Sequence, residues 1–117
     1  MTLVRQLFVR TGRQERFLAL AELLAVRLAR DGSRHDRDNT FPYEHYDMLR
    51  SAGYHVLTVP ERLGGLGATL TETITAQEKL AAGEPATALS IGWHLCVIGK
   101  QAEARTWPED VFEGICR

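Results

Sequence analysis

Three groups of residues in this 117-residue chain have types and spacings that could do chemistry. His35, Asp36 and Asp38 stand close together, and imidazole with carboxylates is a donor set that suits a divalent metal ion. No second ligand cluster at a recognisable spacing accompanies them, so residues 33–40, SRHDRDNT, read as a solvated polar turn and no metal is expected. Gly64, Gly65 and Gly67 precede a helix start, where backbone amides can cradle a phosphate. A dinucleotide fingerprint needs a third glycine where Leu70 stands, and a strand-helix-strand unit around it. The loop is therefore read as a structural turn. The third group is carboxylates. A general base must be positioned and poised, yet Glu78 lies beside Lys79, Glu61 beside Arg62, and Glu84 where it would cap a helix. None carries an argument for a raised pKa, and no catalytic residue is assigned.

The element that must position everything else is the charge-free stretch 85–99, PATALSIGWHLCVIG, which opens on Pro85 and closes on Gly99. Proline is favoured at a first helical position, so the stretch reads as a helix. Apolar on nearly every side, it is expected to be the central post of an all-helical domain. A membrane span needs roughly 20 apolar residues; this run is shorter and contains His94, so no membrane is expected. Burial would lower the pKa of His94 unless a partner offsets desolvation, and a bond to a backbone carbonyl is the common outcome for such a histidine. Cys96 reads as a small buried filler.

Around that post the chain supplies about five helices. Residues 1–10 form a weak lead-in. Thr11 with Gln14 has the capping-box pattern, and Phe17, Leu20, Ala21, Leu24 and Leu28 recur at helical spacing until Asp31 and Gly32. Pro42 opens a second helix, which Gly53 closes. Residues 54–59, YHVLTV, precede Pro60 and read as an extended link, followed by the glycine-rich loop between helices two and three. Thr69 with Glu72 repeats the capping box, and Gly83 stops the third helix. After the central helix, residues 100–105 carry the chain outward. Trp107-Pro108 begins a last helix with Val111, Phe112 and Ile115 as its apolar side.

The composition suits an ordinary globular domain, with 44% hydrophobic and 25% charged residues. One domain fits the length. A net charge of -1 gives no basic footprint, so no nucleic acid partner is expected. Two cysteines make no disulfide framework, and Arg5, Arg10 and Arg13 interrupt the first apolar stretch, so no secretory signal is visible. A cytoplasmic location is expected.

The ordered set Asp36-Arg-Asp38 with Phe41-Pro42, Leu49-Arg-Ser-Ala-Gly53, Leu57-Thr-Val-Pro-Glu61 with Leu63-Gly-Gly-Leu-Gly67, Glu78-Lys-Leu-Ala81, and Ala86-Thr-Ala-Leu89 with His94 resembles the N-terminal helical domain of the acyl-CoA dehydrogenase family. Flavin-dependent monooxygenases on the same scaffold share this pattern. The resemblance implies a three-part enzyme, of which the middle β-domain and C-terminal helical bundle have no counterpart here. It implies FAD, or alternatively FMN, held mainly by those later parts and not stably by this chain alone. It further implies an acyl-CoA substrate, partnership with the remaining domains or subunits, and no independent catalysis. The family's acyl pocket takes one wall from the central helix, which makes Ser90, Trp93, His94, Val97 and Ile98 the candidate substrate-facing residues. Two other readings are a stand-alone helical module that binds an acyl group or a partner helix, and self-association through an uncovered apolar face.

Overall fold

A computed structural model describes residues 9–117. The expected lead-in and the first of the interrupting arginines lie mostly outside them. The described residues form five α-helices, α1 (Gly12–Asp38), α2 (Tyr43–Ser51), α3 (Leu70–Gly83), α4 (Pro85–Ala104) and α5 (Glu109–Cys116), with two short 3-10 turns and no strand. Among them no helix is long and apolar enough to cross a membrane.

Local chemistry sets the helix starts. Thr11 Oγ1 accepts from the Gln14 amide at 3.1 Å while Gln14 Oε1 accepts from the Thr11 amide at 3.0 Å, and Thr69 and Glu72 repeat the exchange at α3. Thr11→Ala, which removes one such acceptor, is expected to cost about 1 kcal/mol, read as a lower urea midpoint with unchanged slope.

The core lies between α1 and α3 and is closed by the inner face of α4. Phe17, Ala21, Leu24 and Leu28 of α1 meet Ala76 and Leu80 of α3, Ala88, Ile91 and Leu95 of α4, Leu49 of α2, and Tyr54 and Leu57 between α2 and α3. A smaller cluster joins Val59, Ile98 and Phe112, which docks α5. Buried Gln101 pins the turn before α5, its Oε1 accepting from Thr106 Oγ1 at 2.8 Å and the Trp107 amide at 3.1 Å.

Several elements depart from the sequence expectation. First, α1 does not end at Gly32 but runs two turns further, to Asn39 in the left-handed region (φ 53°). Residues 33–38 are helix, not a polar turn. Gly32 is instead a notch: a Cβ there would lie 1.8 Å from Glu84 Oε2. Second, residues 54–56 form a 3-10 turn where an extended link was expected. A helical turn brings Tyr54 and Leu57, three positions apart, to the same buried side. Third, the charge-free helix continues to Ala104, so residues 100–104 extend it and do not leave it.

That helix is also not a central post. Its buried residues form one side, whereas Leu89 (69% exposed), Trp93 (70%) and Val97 (43%) face outward and Cys96 is exposed. Absence of charge shows that a helix can be covered, not that this segment alone covers it. The apolar side of α5 is likewise narrower than expected, with Phe112 buried and Val111 and Ile115 exposed.

Glu84 joins α3 directly to α4. Its amide donates to Leu80 O at 3.1 Å and closes α3, while its carboxylate accepts from the Ala86 amide at 3.1 Å and opens α4. The corner therefore has no loop, and the two helices diverge from a fixed point.

Candidate functional site

Where α3 and α4 diverge they leave a groove with a cavity volume of about 450 Å³. One wall is Leu70, Thr73, Ile74 and Gln77, at the spacing of a single α3 face; the other includes Gly92, Leu95, Cys96 and Gly99 of α4. Thr58 and Ala68 reach it from the preceding loop, and Lys100 and Glu103 are its charged residues. The glycines make the gap. A Cβ at Gly99 would press on Thr58 at 3.3 Å, and one at Gly92 would meet Gln77 Nε2 at 2.8 Å.

The uncharged polar side chains of the walls are already engaged. Thr58 Oγ1 donates to Leu95 O at 2.9 Å, Gln77 Nε2 donates to Ala88 O at 2.9 Å, and Gln77 Oε1 accepts from Tyr54 OH at 2.8 Å. Burial pushes the Tyr54 phenol well above its usual range, so it stays a neutral donor. With these groups satisfied internally, what the groove offers a ligand is mainly apolar surface, with Lys100 and Glu103 as its charged residues. An aliphatic chain suits it; a group rich in hydroxyls does not.

The five residues singled out from sequence are not those that line this groove. Ser90 Oγ accepts from Tyr46 OH, Trp93 and Val97 stand on the outward face of α4, and Ile98 is buried against Val59 and Phe112. His94 is exposed, and its Nε2 donates to His55 O at 2.8 Å, the expected kind of partner without the expected burial. The groove uses the adjacent strip, Gly92, Leu95, Cys96 and Gly99. The signal for it was present in the sequence as small residues at positions 92, 96 and 99, the spacing that lets a helix take a close neighbour.

The glycine-rich loop commits its amides internally. Gly64 N–H donates to Glu61 O at 3.0 Å, Gly65 N–H to Pro60 O at 3.1 Å and Gly67 N–H to Val59 O at 2.9 Å. Gly64 (φ 89°) and Gly67 (φ 63°) supply the left-handed turns that make this possible.

A second constellation lies at the far end of α1. Asp36 and Asp38 are exposed and do not join His35. His35 Nε2 instead contacts Glu44 Oε1, which also receives Arg34 Nη2 at 2.9 Å. Beside them His45 is fully buried, with its Nδ1 2.9 Å from Thr87 Oγ1. Burial holds the His45 imidazole below the usual histidine pKa, against the raising influence of Glu44.

The comparisons with known proteins bear on the fold. The model of the acyl-CoA dehydrogenase N-terminal domain matches residues 13–106. YdbM of Bacillus subtilis, whose name provisionally places it among the acyl-CoA dehydrogenases, is 38% identical over 111 residues, covering 95% of this chain and 29% of that protein. L-evernosamine nitrososynthase of Micromonospora sp. is 39% identical over 70 residues, or 59% of this chain and 16% of the relative. Among solved structures, KijD3 in complex with dTDP superposes with a TM-score of 0.78 at 32% identity, covering 92% of this chain and 29% of that one. The chain thus spans less than a third of the length of each. A helix order, two capped helix starts and a family-model match over most of its length agree, and the chain belongs to the acyl-CoA dehydrogenase family, matching its N-terminal domain.

Proposed function

We propose that this segment forms one wall of the substrate pocket of an acyl-CoA dehydrogenase-like flavoenzyme, and that the α3–α4 groove receives the aliphatic part of an acyl thioester. The observation that carries the reading is the groove itself, about 450 Å³ of mainly apolar lining whose uncharged polar side chains already have partners. The outward stripe of Leu89, Trp93 and Val97 is apolar surface of the kind that the rest of such an enzyme would cover. Flavin would be held by that remainder. The amides that could cradle its diphosphate here already donate within the loop, so no step of the chemistry is assigned to this chain. Its part is to bind and orient an apolar chain and to keep water from it.

A second reading follows from the nitrososynthase relative and the dTDP-bound structural neighbour: the parent enzyme oxygenates an amino group on a nucleotide-linked sugar. The apolar groove favours the acyl reading. Titrating the chain with octanoyl-CoA while following tryptophan fluorescence separates the two. Saturable binding is expected, weakened about 10-fold (about 1.4 kcal/mol) by Ile74→Asp, which places a charge at a half-exposed groove position. Equal responses to octanoyl-CoA and free CoA, or a preference for dTDP, would sink the acyl assignment.

A further inference from the structure

The α1–α2 corner holds an arrangement that the groove does not use. Asp31 and His35 stand one turn apart on α1, and Glu44 and His45 open α2. One ligating atom from each of His35, Glu44 and His45 lies within 4.8 Å of the other two, and Asp31 Oδ2 is 4.0 Å from His45 Nε2.

Each imidazole has its Nδ1 beside a threonine hydroxyl. His35 Nδ1 lies 2.8 Å from Thr40 Oγ1, and His45 Nδ1 lies 2.9 Å from Thr87 Oγ1. With the proton on Nδ1 and donated to the Thr87 hydroxyl, His45 Nε2 keeps its lone pair, the arrangement typical of metal-bound histidine, whereas His35 Nε2 donates to the Glu44 carboxylate and would give up that proton to an incoming ion. The decisive atom is His45 Nε2. Its side chain is 1% exposed, and this nitrogen has no hydrogen-bond partner. In either tautomer it is a buried polar atom without a mate, which is costly and rare. A cavity of about 450 Å³ lined by His35, Asn39, His45 and Glu84 opens beside it, large enough to admit an ion.

From this geometry we propose a binding site for a divalent transition-metal ion of the zinc class, with His35 Nε2, His45 Nε2 and the Glu44 carboxylate as ligands and Asp31 in reach as the fourth. Tetrahedral ligand atoms at bonds of about 2.0 Å sit roughly 3.3 Å apart, so closure from 4.8 Å takes only side-chain movement. Two imidazoles with carboxylates suit zinc, cobalt or nickel better than calcium or magnesium, which prefer oxygen throughout. The ion would clip the end of α1 to the start of α2. Its rival is Arg34, whose guanidinium sits 2.9 Å from Glu44 Oε1 and 3.8 Å from Asp31 Oδ1. That side chain is half-exposed and can swing into water.

The test is titration of the tag-free chain with Co²⁺, read by visible absorption, followed by displacement with Zn²⁺. One equivalent with tetrahedral d–d bands is expected. His35→Ala should weaken binding about 100-fold, and Thr87→Val, which unseats the His45 tautomer, about 10-fold. Arg34→Ala should tighten binding severalfold because it removes a competing cation; an ordinary ion-pair role for Glu44 predicts no such gain. This variant leaves the core untouched and reads the site even if His35→Ala fails to fold. No d–d band at millimolar Co²⁺, a thiolate charge-transfer band placing the ion on Cys96 or Cys116, or affinity unchanged in His35→Ala and Arg34→Ala would overturn the proposal.

Discussion

Gly83→Ala is expected to destabilise the fold by about 3 kcal/mol, the upper range for forcing extra volume into a packed interior. A Cβ at Gly83 would lie 2.3 Å from Ala25 O, 2.7 Å from its carbonyl carbon and 2.8 Å from its Cα. All three are backbone atoms of α1, so no rotamer change can relieve the clash. The helices must separate where Ala21, Leu24 and Leu80 are fully buried. Urea unfolding should show a markedly lower midpoint. Gly114→Ala provides the contrast: it lies within α5, and a Cβ there meets nothing within 4 Å. It should stabilise by up to about 1 kcal/mol through helix propensity. Equal losses from both substitutions would show that the α1–α3 contact is looser than this.

Arg13→Met is expected to cost about 2 kcal/mol at neutral pH, the scale of hydrogen bonds to charged groups with some exposure allowed for. Arg13 reaches from the first turn of α1 to three places. Its Nε donates to Glu72 Oε2 at 3.1 Å, its Nη1 to Glu61 Oε1 at 2.9 Å, and its Nη2 to Leu66 O at 3.2 Å and Gly67 O at 3.1 Å. Glu61 is mostly exposed and adds little; Glu72 is 5% exposed and matters most. Burial pushes the Glu72 carboxyl upward, but the Thr69 amide and the Arg13 guanidinium outweigh it and leave the pKa below its ordinary value of 4.5.

A carboxyl with a depressed folded pKa binds fewer protons when folded than when unfolded. Its contribution is therefore fully present above about 4.5 and lost as pH falls through the lower folded value. The gap between the native chain and Arg13→Met should accordingly be widest near pH 7 and shrink on acidification past that range. Denaturation of both proteins across pH 7 to pH 3 checks it. A gap independent of pH would assign the loss to the two backbone acceptors and to packing over the Phe17 ring, 5.3 Å from the guanidinium carbon.

How far the sequence speaks for the structure depends on whether a residue's partner is near it in the chain. Thr11 with Gln14, Thr69 with Glu72 and Pro85 were legible because each acts within one turn, and the face of Phe17, Leu24 and Leu28 because its period is internal to the helix. Gly32 and Gly83 were not. A glycine can end a helix or admit a neighbour, and the neighbours, Glu84 and Ala25, are distant in sequence. Cys96 was misplaced for a related reason: a run without charge does not reveal how much of it other elements cover. His35 could be noticed, but Glu44 and His45 meet it only once α2 folds back against α1. In the groove the glycines were visible as letters, while the wall opposite them was not.

The loop-free corner at Glu84 also bears on the order of events as the chain folds. Gln77 bonds Ala88 across that corner over 11 positions, whereas Arg13 meets Glu72 over 59. Closing the longer span costs roughly 1.5 kcal/mol more in chain entropy. On chain entropy alone the α3–α4 pair is therefore expected to form first, with α1 docking on it afterwards. In that order the groove would have both its α3 and α4 walls before α1 covers the core.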